Sequence, residues 1–231
     1  MAHLIITGTR KGIGRYLCEY YLEKGYSVSG CSREESDLKH PHYTHYCLDV
    51  ADEKAVQKMV STVTKAVGCI DGLINNAGIA AMNHSFLTPL SVMEKIFATN
   101  VFGTFLFCRE VGKVMAKYKK GRIVNFATVA TPIKLEGESA YAASKAAVEN
   151  MTQIMAKEFA PFGVTVNAVA PTPVLTDLIR YVPKDKMDAL LNRQAIKRFG
   201  EMDDISNVID FYLNEKSDFI TGQVLYLGGV S

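Results

Sequence analysis

Cysteine is scarce in this chain and poorly placed for pairing. Cys18, Cys31, Cys47, Cys69 and Cys108 are odd in number, widely spaced and free of any CxxC pair, which excludes a disulfide scaffold and a thiolate metal site. They are read as reduced, mostly buried small apolar residues. With 7 Pro and 17 Gly in 231 residues, the composition also departs from collagen and from low-complexity chains. No uninterrupted apolar stretch approaches the roughly 20 residues of a membrane-spanning helix. The run Leu4, Ile5, Ile6 begins almost at the first residue, which leaves no room for a leader peptide and points to the cytoplasm. Charge of one sign is lacking too: 26 basic against 24 acidic residues give +2, too little to follow a nucleic-acid backbone.

What is present is a globular composition, 48% apolar and 22% charged, in a length suited to one domain spanning residues 1–231. His40, His42 and His45 lie close together, but their spacing matches no zinc pattern of helices or fingers. They read as a polar loop entering a strand, and no metal site is expected.

Short β-rich runs alternate with helical patterns along the whole chain, which predicts an α/β fold, a doubly wound sheet of about seven parallel strands with helices on both faces. Strands are expected at 3–7, 26–31, 43–48, 72–75, 121–127, 164–169 and 223–227. Helices are expected at 12–24, from Asp52 to about 67, from Thr88 and Pro89 to about 117, from a Ser139 cap to about 159, and from Asp203 and Asp204 onward. Between Pro171 and Gly200 the pattern loosens, and a mobile lid is expected at about 174–200.

Directly after the first strand comes Thr7, Gly8, Thr9, Arg10, Lys11, Gly12, Ile13, Gly14. In such a turn Gly8 permits the sharp bend, Gly12 close approach to a pyrophosphate, and Gly14 tight packing of helix on strand. The helix amides then face the phosphates. At the end of the second strand an acid would accept from a free ribose 2′-hydroxyl. This chain instead has Ser32 and Arg33, nineteen residues beyond Gly14, with Lys11 nearby. A 2′-phosphate would pair with both cations, so NADPH is expected over NADH. Asp49, beside Val50, could accept from the adenine amino group or cap the following helix.

The form TGxxxGIG at Thr7, then Asn75-Asn76-Ala77-Gly78, Asn100, Tyr141-Ala-Ala-Ser-Lys145, Pro171 and Ile220-Thr221-Gly222-Gln223 resembles the short-chain dehydrogenase/reductase family over nearly the whole chain. Within that family it is most similar to the beta-ketoacyl-(acyl carrier protein) reductase group. The resemblance implies a Rossmann-type fold, NADP(H) and hydride transfer between a ketone and an alcohol. It implies a catalytic set of Asn100, Thr128, Tyr141 and Lys145, with Tyr141 as general acid/base. Lys145 also holds the nicotinamide ribose, and Asn100 supports a water-linked proton path. Cofactor contacts are expected from Gly8, Arg10, Lys11, Gly12, Ile13, Gly14, Ser32, Arg33, Asp49, Val50, Asn76, Ala77, Gly78, Tyr141, Lys145, Pro171, Val174 and Thr176.

The chemistry can be argued separately. Tyr141 and Lys145 lie four apart on one helix face. An ammonium beside the phenol would lower its pKa from about 10 toward useful acid/base strength. The chain departs from the family at Thr128, where a serine is usual, and threonine keeps the hydroxyl while its methyl narrows the site. It departs again at Thr172, usually glycine, where a β-branched residue would resist a positive φ.

The substrate pocket is expected from Thr128 to Glu138, the loop after Gly78 and the lid. Lys134, Glu136, Glu138 and Arg180 there, beside Ile133 and Leu135, leave an acyl thioester and a keto sugar equally open. Lys117, Lys119, Lys120 and Arg122 could meet an acidic carrier protein, or form a solvated helix end. By the resemblance, the helices after Pro89 and around Tyr141 carry subunit contacts in a homotetramer or homodimer, with Phe102, Phe105, Phe107, Met151, Ile154 and Met155 contributing apolar surface. A cofactor-binding module without turnover is the competing function.

Overall fold

A computed structural model describes residues 1–175 and 184–230. Seven strands, β1 (His3–Thr7), β2 (Ser27–Ser32), β3 (Tyr43–Cys47), β4 (Gly72–Asn75), β5 (Gly121–Phe126), β6 (Val164–Ala170) and β7 (Val224–Tyr226), form one sheet in the order β3-β2-β1-β4-β5-β6-β7. Every pairing is parallel. The strand order reverses between β1 and β4, and in doubly wound sheets the crevice at that switch point, beyond the strands' carboxyl ends, takes the ligand.

The strands are apolar because both faces are covered. Ile5, Leu73, Ile123 and Val166 face one core with α2 (Glu53–Val67) and α3 (Leu90–Tyr118). Leu4, Ile6, Ile74, Val124 and Val169 face the other with α1 (Gly12–Glu23) and a later helix, Met202–Leu213. The central strands β1, β4, β5 and β6 are buried at every residue, whereas edge strand β3 is half-exposed.

Element boundaries differ from the expected ones for local reasons. The long helix begins at Leu90, with Pro89 at its cap and a short helical turn, Ser85–Leu87, before it. It widens into a π-helical turn over Ala98–Phe102. A four-residue α4 (Ala130–Ile133) precedes α5 (Ser139–Phe159), where Glu138 and not Ser139 occupies the cap. The segment after Pro171 contains α6 (Lys184–Asn192), and α7 (Met202–Leu213) opens with a capping box made by Glu201 and Asp204. The expected lid lies in part outside the described residues, as do Thr176 and Arg180.

α3 is, by length and composition, long and apolar enough to cross a membrane. Its Leu106, Phe107, Val111 and Met115 are instead packed into the sheet core.

Candidate active site

A cleft of about 650 Å³ lies at the carboxyl end of the sheet. Gly8, Arg10, Lys11, Gly12 and Ile13 line it from the β1–α1 turn, and Ser32 and Arg33 from the end of β2. Asp49 and Val50 line it after β3, and Asn76, Ala77 and Gly78 after β4. Thr128, Tyr141, Lys145, Pro171 and Val174 close the far side. Two expected residues act from behind. Gly14 sits where a Cβ would lie 2.2 Å from the Gly8 carbonyl oxygen and 2.4 Å from Asn76 Nδ2, so helix and turn meet only because the side chain is missing.

The turn is held by its own backbone and by β4. Gly8 N–H donates to the Cys31 carbonyl at 2.8 Å with φ +74°, a conformation that favours glycine. Asn76 Nδ2 donates to the Thr7 carbonyl at 2.9 Å, and Ala77 N–H to Thr7 Oγ1 at 2.9 Å. Asn76 is thus a brace between β1 and β4. Lys11 at the N-cap of α1 gives no side-chain cap bond, and the first turn holds no acid. Uncapped amides opening on a cleft suit the pyrophosphate of a dinucleotide.

At the ribose end the sequence reading missed Glu34. Its carboxylate lines the cleft and pairs with Arg10 at 2.7 Å, leaving Lys11 and Arg33 as the other cations there. Asp49 accepts from the Ala51 N–H at 2.9 Å, while Asp52 caps α2 by accepting from Ala55 N–H. The capping alternative for Asp49 is therefore taken by Asp52.

On the other side, Asn100 is fully buried in the π-helical turn. It accepts from Ile79 N–H at 2.8 Å and donates to the Ile79 carbonyl at 2.9 Å and to Ser144 Oγ at 3.0 Å. Ser144 donates in turn to the Tyr141 carbonyl at 2.7 Å. π turns recur where a helix must aim a side chain off its regular pitch, and no sequence signal marked this one. Lys145 Nζ, 4% exposed as a residue, donates to the Phe126 carbonyl at 2.7 Å. A Cβ on Gly78 would lie 3.5 Å from that Nζ and 3.4 Å from Asn100 Oδ1, so Gly78 keeps the space in front of both open.

Burial dominates the electrostatics of this wall. Burial pushes the Tyr141 phenol up to about 12; the Thr128 hydroxyl pulls it down and Glu138 pushes it further up. Burial pushes the Lys145 ammonium down to about 8, with Glu149 opposing. The ammonium gives one of its three donors to the Phe126 carbonyl, and the Thr128 hydroxyl eases phenol ionisation. Thr128 Oγ1 also accepts from Ala130 N–H at 3.3 Å.

Thr172 proves compatible with its turn. Among the described residues the non-glycine positions with positive φ are Lys119 and Lys134. Thr172 is buried, with Gly200 and Gly228 giving it room: a Cβ on either would lie 2.7 Å from its side chain.

The substrate end is less polar than expected. Lys134 and Glu136 point to solvent, and Ile133 packs with Met187 and Leu190 in a small core. The lining beyond Tyr141 comes from Ile79, Ala80, Met82, Leu135, Met187 and Leu190, with Glu138 as its carboxylate. Met187 and Leu190 fall within the expected lid at 174–200 but were not singled out there, because only folding brings α6 over the cleft. The basic group before β5 is remote: Lys120 pairs with Glu215 at 2.6 Å, and Arg122 donates to backbone carbonyls at the opposite end of the sheet. Among the described residues no group of three or more His, Cys, Asp or Glu side chains could hold a metal ion.

A doubly wound parallel sheet with a glycine turn at its switch point, and a tyrosine, lysine and hydroxyl on the facing wall, defines a dinucleotide-dependent oxidoreductase. The family model described as short chain dehydrogenase matches residues 2–187, and the chain belongs to that family. It is 31% identical over 97% of its length, and 96% of the relative's, to the 3-oxoacyl-(acyl-carrier-protein) reductase FabG of Staphylococcus epidermidis. Among solved structures, ElxO with NADP bound superposes with a TM-score of 0.90 at 30% identity, covering 98% of this chain and 96% of that one. The ligand-free aldohexose dehydrogenase of Thermoplasma acidophilum gives 0.89 at 26% identity, covering 99% and 93%.

Proposed function

We propose that the chain is an NADPH-dependent reductase that turns a ketone carrying an apolar arm, of the 3-oxoacyl type, into an alcohol. The observation that carries the reading is the shared wall on which Thr128, Tyr141 and Lys145 stand, with Lys145 beneath Gly78, facing the glycine turn across one cleft. The bound nicotinamide supplies the hydride. Tyr141, fully protonated at neutral pH with its phenol near 12, donates the proton to the carbonyl oxygen. Thr128, with a single hydroxyl proton, donates its hydrogen bond to the developing alkoxide. Lys145 holds the ribose side of the cleft and restores the Tyr141 proton, while Asn100 fixes the Ile79 backbone and, through Ser144, the turn of α5 below Tyr141.

The preference for NADPH rests on the ribose end, where Arg10, Lys11 and Arg33 line the cleft and Glu34 pairs with Arg10. It is supported by ElxO, whose structure has NADP bound. The apolar lining and the FabG relatives favour an acyl chain, delivered on an acyl carrier protein or as a simpler thioester. Glu138 and the aldohexose dehydrogenase neighbour keep a sugar carbonyl as the second substrate class.

The test is to follow oxidation of NADPH and of NADH with a panel of 3-oxoacyl thioesters, small diketones and keto sugars. Turnover is expected with NADPH and a 3-oxoacyl thioester. Tight cofactor binding without consumption across the whole panel would replace the enzyme by a silent binding module.

A second copy of the chain is the proposed partner. Leu90, Phe102 and Phe105 on α3 and Ile154 on neighbouring α5 are 70%, 56%, 39% and 50% exposed, more apolar surface than a lone subunit commonly leaves in water. Phe107 and Met155, by contrast, are core residues and take no part.

A further inference from the structure

We propose that His45 is a positioning residue that sets the preference for a phosphorylated over a free ribose, by securing the Ser32–Glu34 turn at the end of β2. The inference rests on the NADPH reading above and extends it to a residue on a different strand.

His45 stands on β3 in register with Gly30 of β2. A Cβ on Gly30 would lie 2.5 Å from Thr9 Oγ1 and 2.5 Å from the Tyr43 hydroxyl oxygen. The bare glycine therefore opens the space in which Thr9, Tyr43 and His45 meet. His45 Nε2 is 3.0 Å from the Glu34 carbonyl oxygen. A carbonyl only accepts, so that bond assigns the ring proton to Nε2. Nδ1 is then an acceptor, and the Tyr43 hydroxyl donates to it at 2.8 Å. Tyr43 lies 3.0 Å from Thr9 Oγ1, next to Gly8 in the phosphate turn. One chain of hydrogen bonds thus runs from the phosphate turn across β3 to the ribose turn.

What this does at the ribose follows from Ser32. Its hydroxyl donates to the same Glu34 carbonyl at 2.6 Å, and its oxygen lies 3.1 Å from His45 Nε2. To donate to a ribose phosphate the Ser32 hydroxyl must leave the Glu34 carbonyl, which then needs another donor. His45 Nε2–H is already in place to supply it, so the turn keeps its shape when the serine rotates. A free 2′-hydroxyl, able to donate as well as accept, makes no such demand. On the outer side of the turn the Glu34 carboxylate is held by Arg10, and Arg33 follows Ser32 directly. Nothing in a sequence motif connects residue 45 with residues 32–34; the parallel pairing of β2 with β3 does.

The test compares binding of adenosine 2′,5′-bisphosphate and adenosine 5′-monophosphate by calorimetry, in wild type, His45→Gln and His45→Asn. Gln can place an amide N–H where Nε2–H stands, whereas Asn is too short to reach the Glu34 carbonyl. Wild type is expected to favour the bisphosphate by at least about tenfold. His45→Asn should lose about tenfold of that ratio and His45→Gln less than about threefold, with affinity for the monophosphate unchanged in both. In turnover, the Asn variant should raise KM for NADPH and leave kcat alone. Equal weakening of both nucleotides, or an unchanged ratio in His45→Asn, overturns the assignment. A wild type without preference for the bisphosphate instead removes the NADPH reading, and the role of His45 with it.

Discussion

Thr128 stands where the resemblance leads to a serine, and its hydroxyl eases ionisation of the Tyr141 phenol. Thr128→Ala should lower kcat by about 10²–10³-fold, the usual loss for one donor to an oxyanion. Thr128→Ser should stay within a few-fold of wild type, and equal activity in steady-state assays of the two variants would take Thr128 out of the reaction. Lys145 gives a pH prediction. Its ammonium, lowered to about 8 by burial, is charged below that value and lost as pH rises through it. kcat/KM for ketone reduction should therefore fall above about pH 8 in a pH–rate profile, and a flat profile to pH 9 would contradict the role. The stability sign is opposite. The unfolded chain keeps this lysine charged to about 10.4, so between about 8 and 10.4 the unfolded state binds the extra proton and stability rises with pH. Lys145→Met should abolish turnover while leaving Tm at pH 7 at or above that of wild type.

At the scale of elements, the glycine turn was legible because its requirements are local. Gly8 needs a positive φ, and Gly14 has no space for a Cβ between α1 and the turn. Gly14→Ala should destabilise by about 1–3 kcal/mol through overpacking, read in thermal unfolding as a fall of about 2–4 °C per kcal/mol, and should weaken binding of both dinucleotides. The π turn at Ala98–Phe102 was not legible, because helical propensity continues through it and its cause is tertiary. Asn100 must reach the Ile79 backbone and Ser144 at once. Likewise the expected link between Tyr141 and Lys145 was right in placing them on one face. Spacing on a helix does not say which carbonyl the ammonium will find, and here Lys145 Nζ donates to that of Phe126.

Across the whole molecule, the exposed apolar face of α3 and α5 argues for assembly. Phe105→Asp, on a residue 39% exposed, should leave the sheet intact and shift the protein to a smaller species in size-exclusion chromatography with light scattering. Unchanged mass would place the partner surface elsewhere. The substrate end also belongs to this scale. The sequence placed Lys134 and Glu136 in the pocket because they neighbour Glu138 in the chain. Lys134 at φ +56° and Glu136 are turned to solvent, and Met187 and Leu190 from a distant helix take the space.

The sequence by itself determined the parallel sheet, the phosphate turn and the family, because alternating apolar runs, glycines with steric duties and ordered short motifs are encoded within a few residues of one another. Tertiary structure alone decided which partner each buried charge meets, the place of the Thr128 hydroxyl by the phenol, the Arg10–Glu34 pair and the position of His45. Those contacts join residues separated in the chain, and the strand pairing and burial that bring them together are recorded in no local pattern.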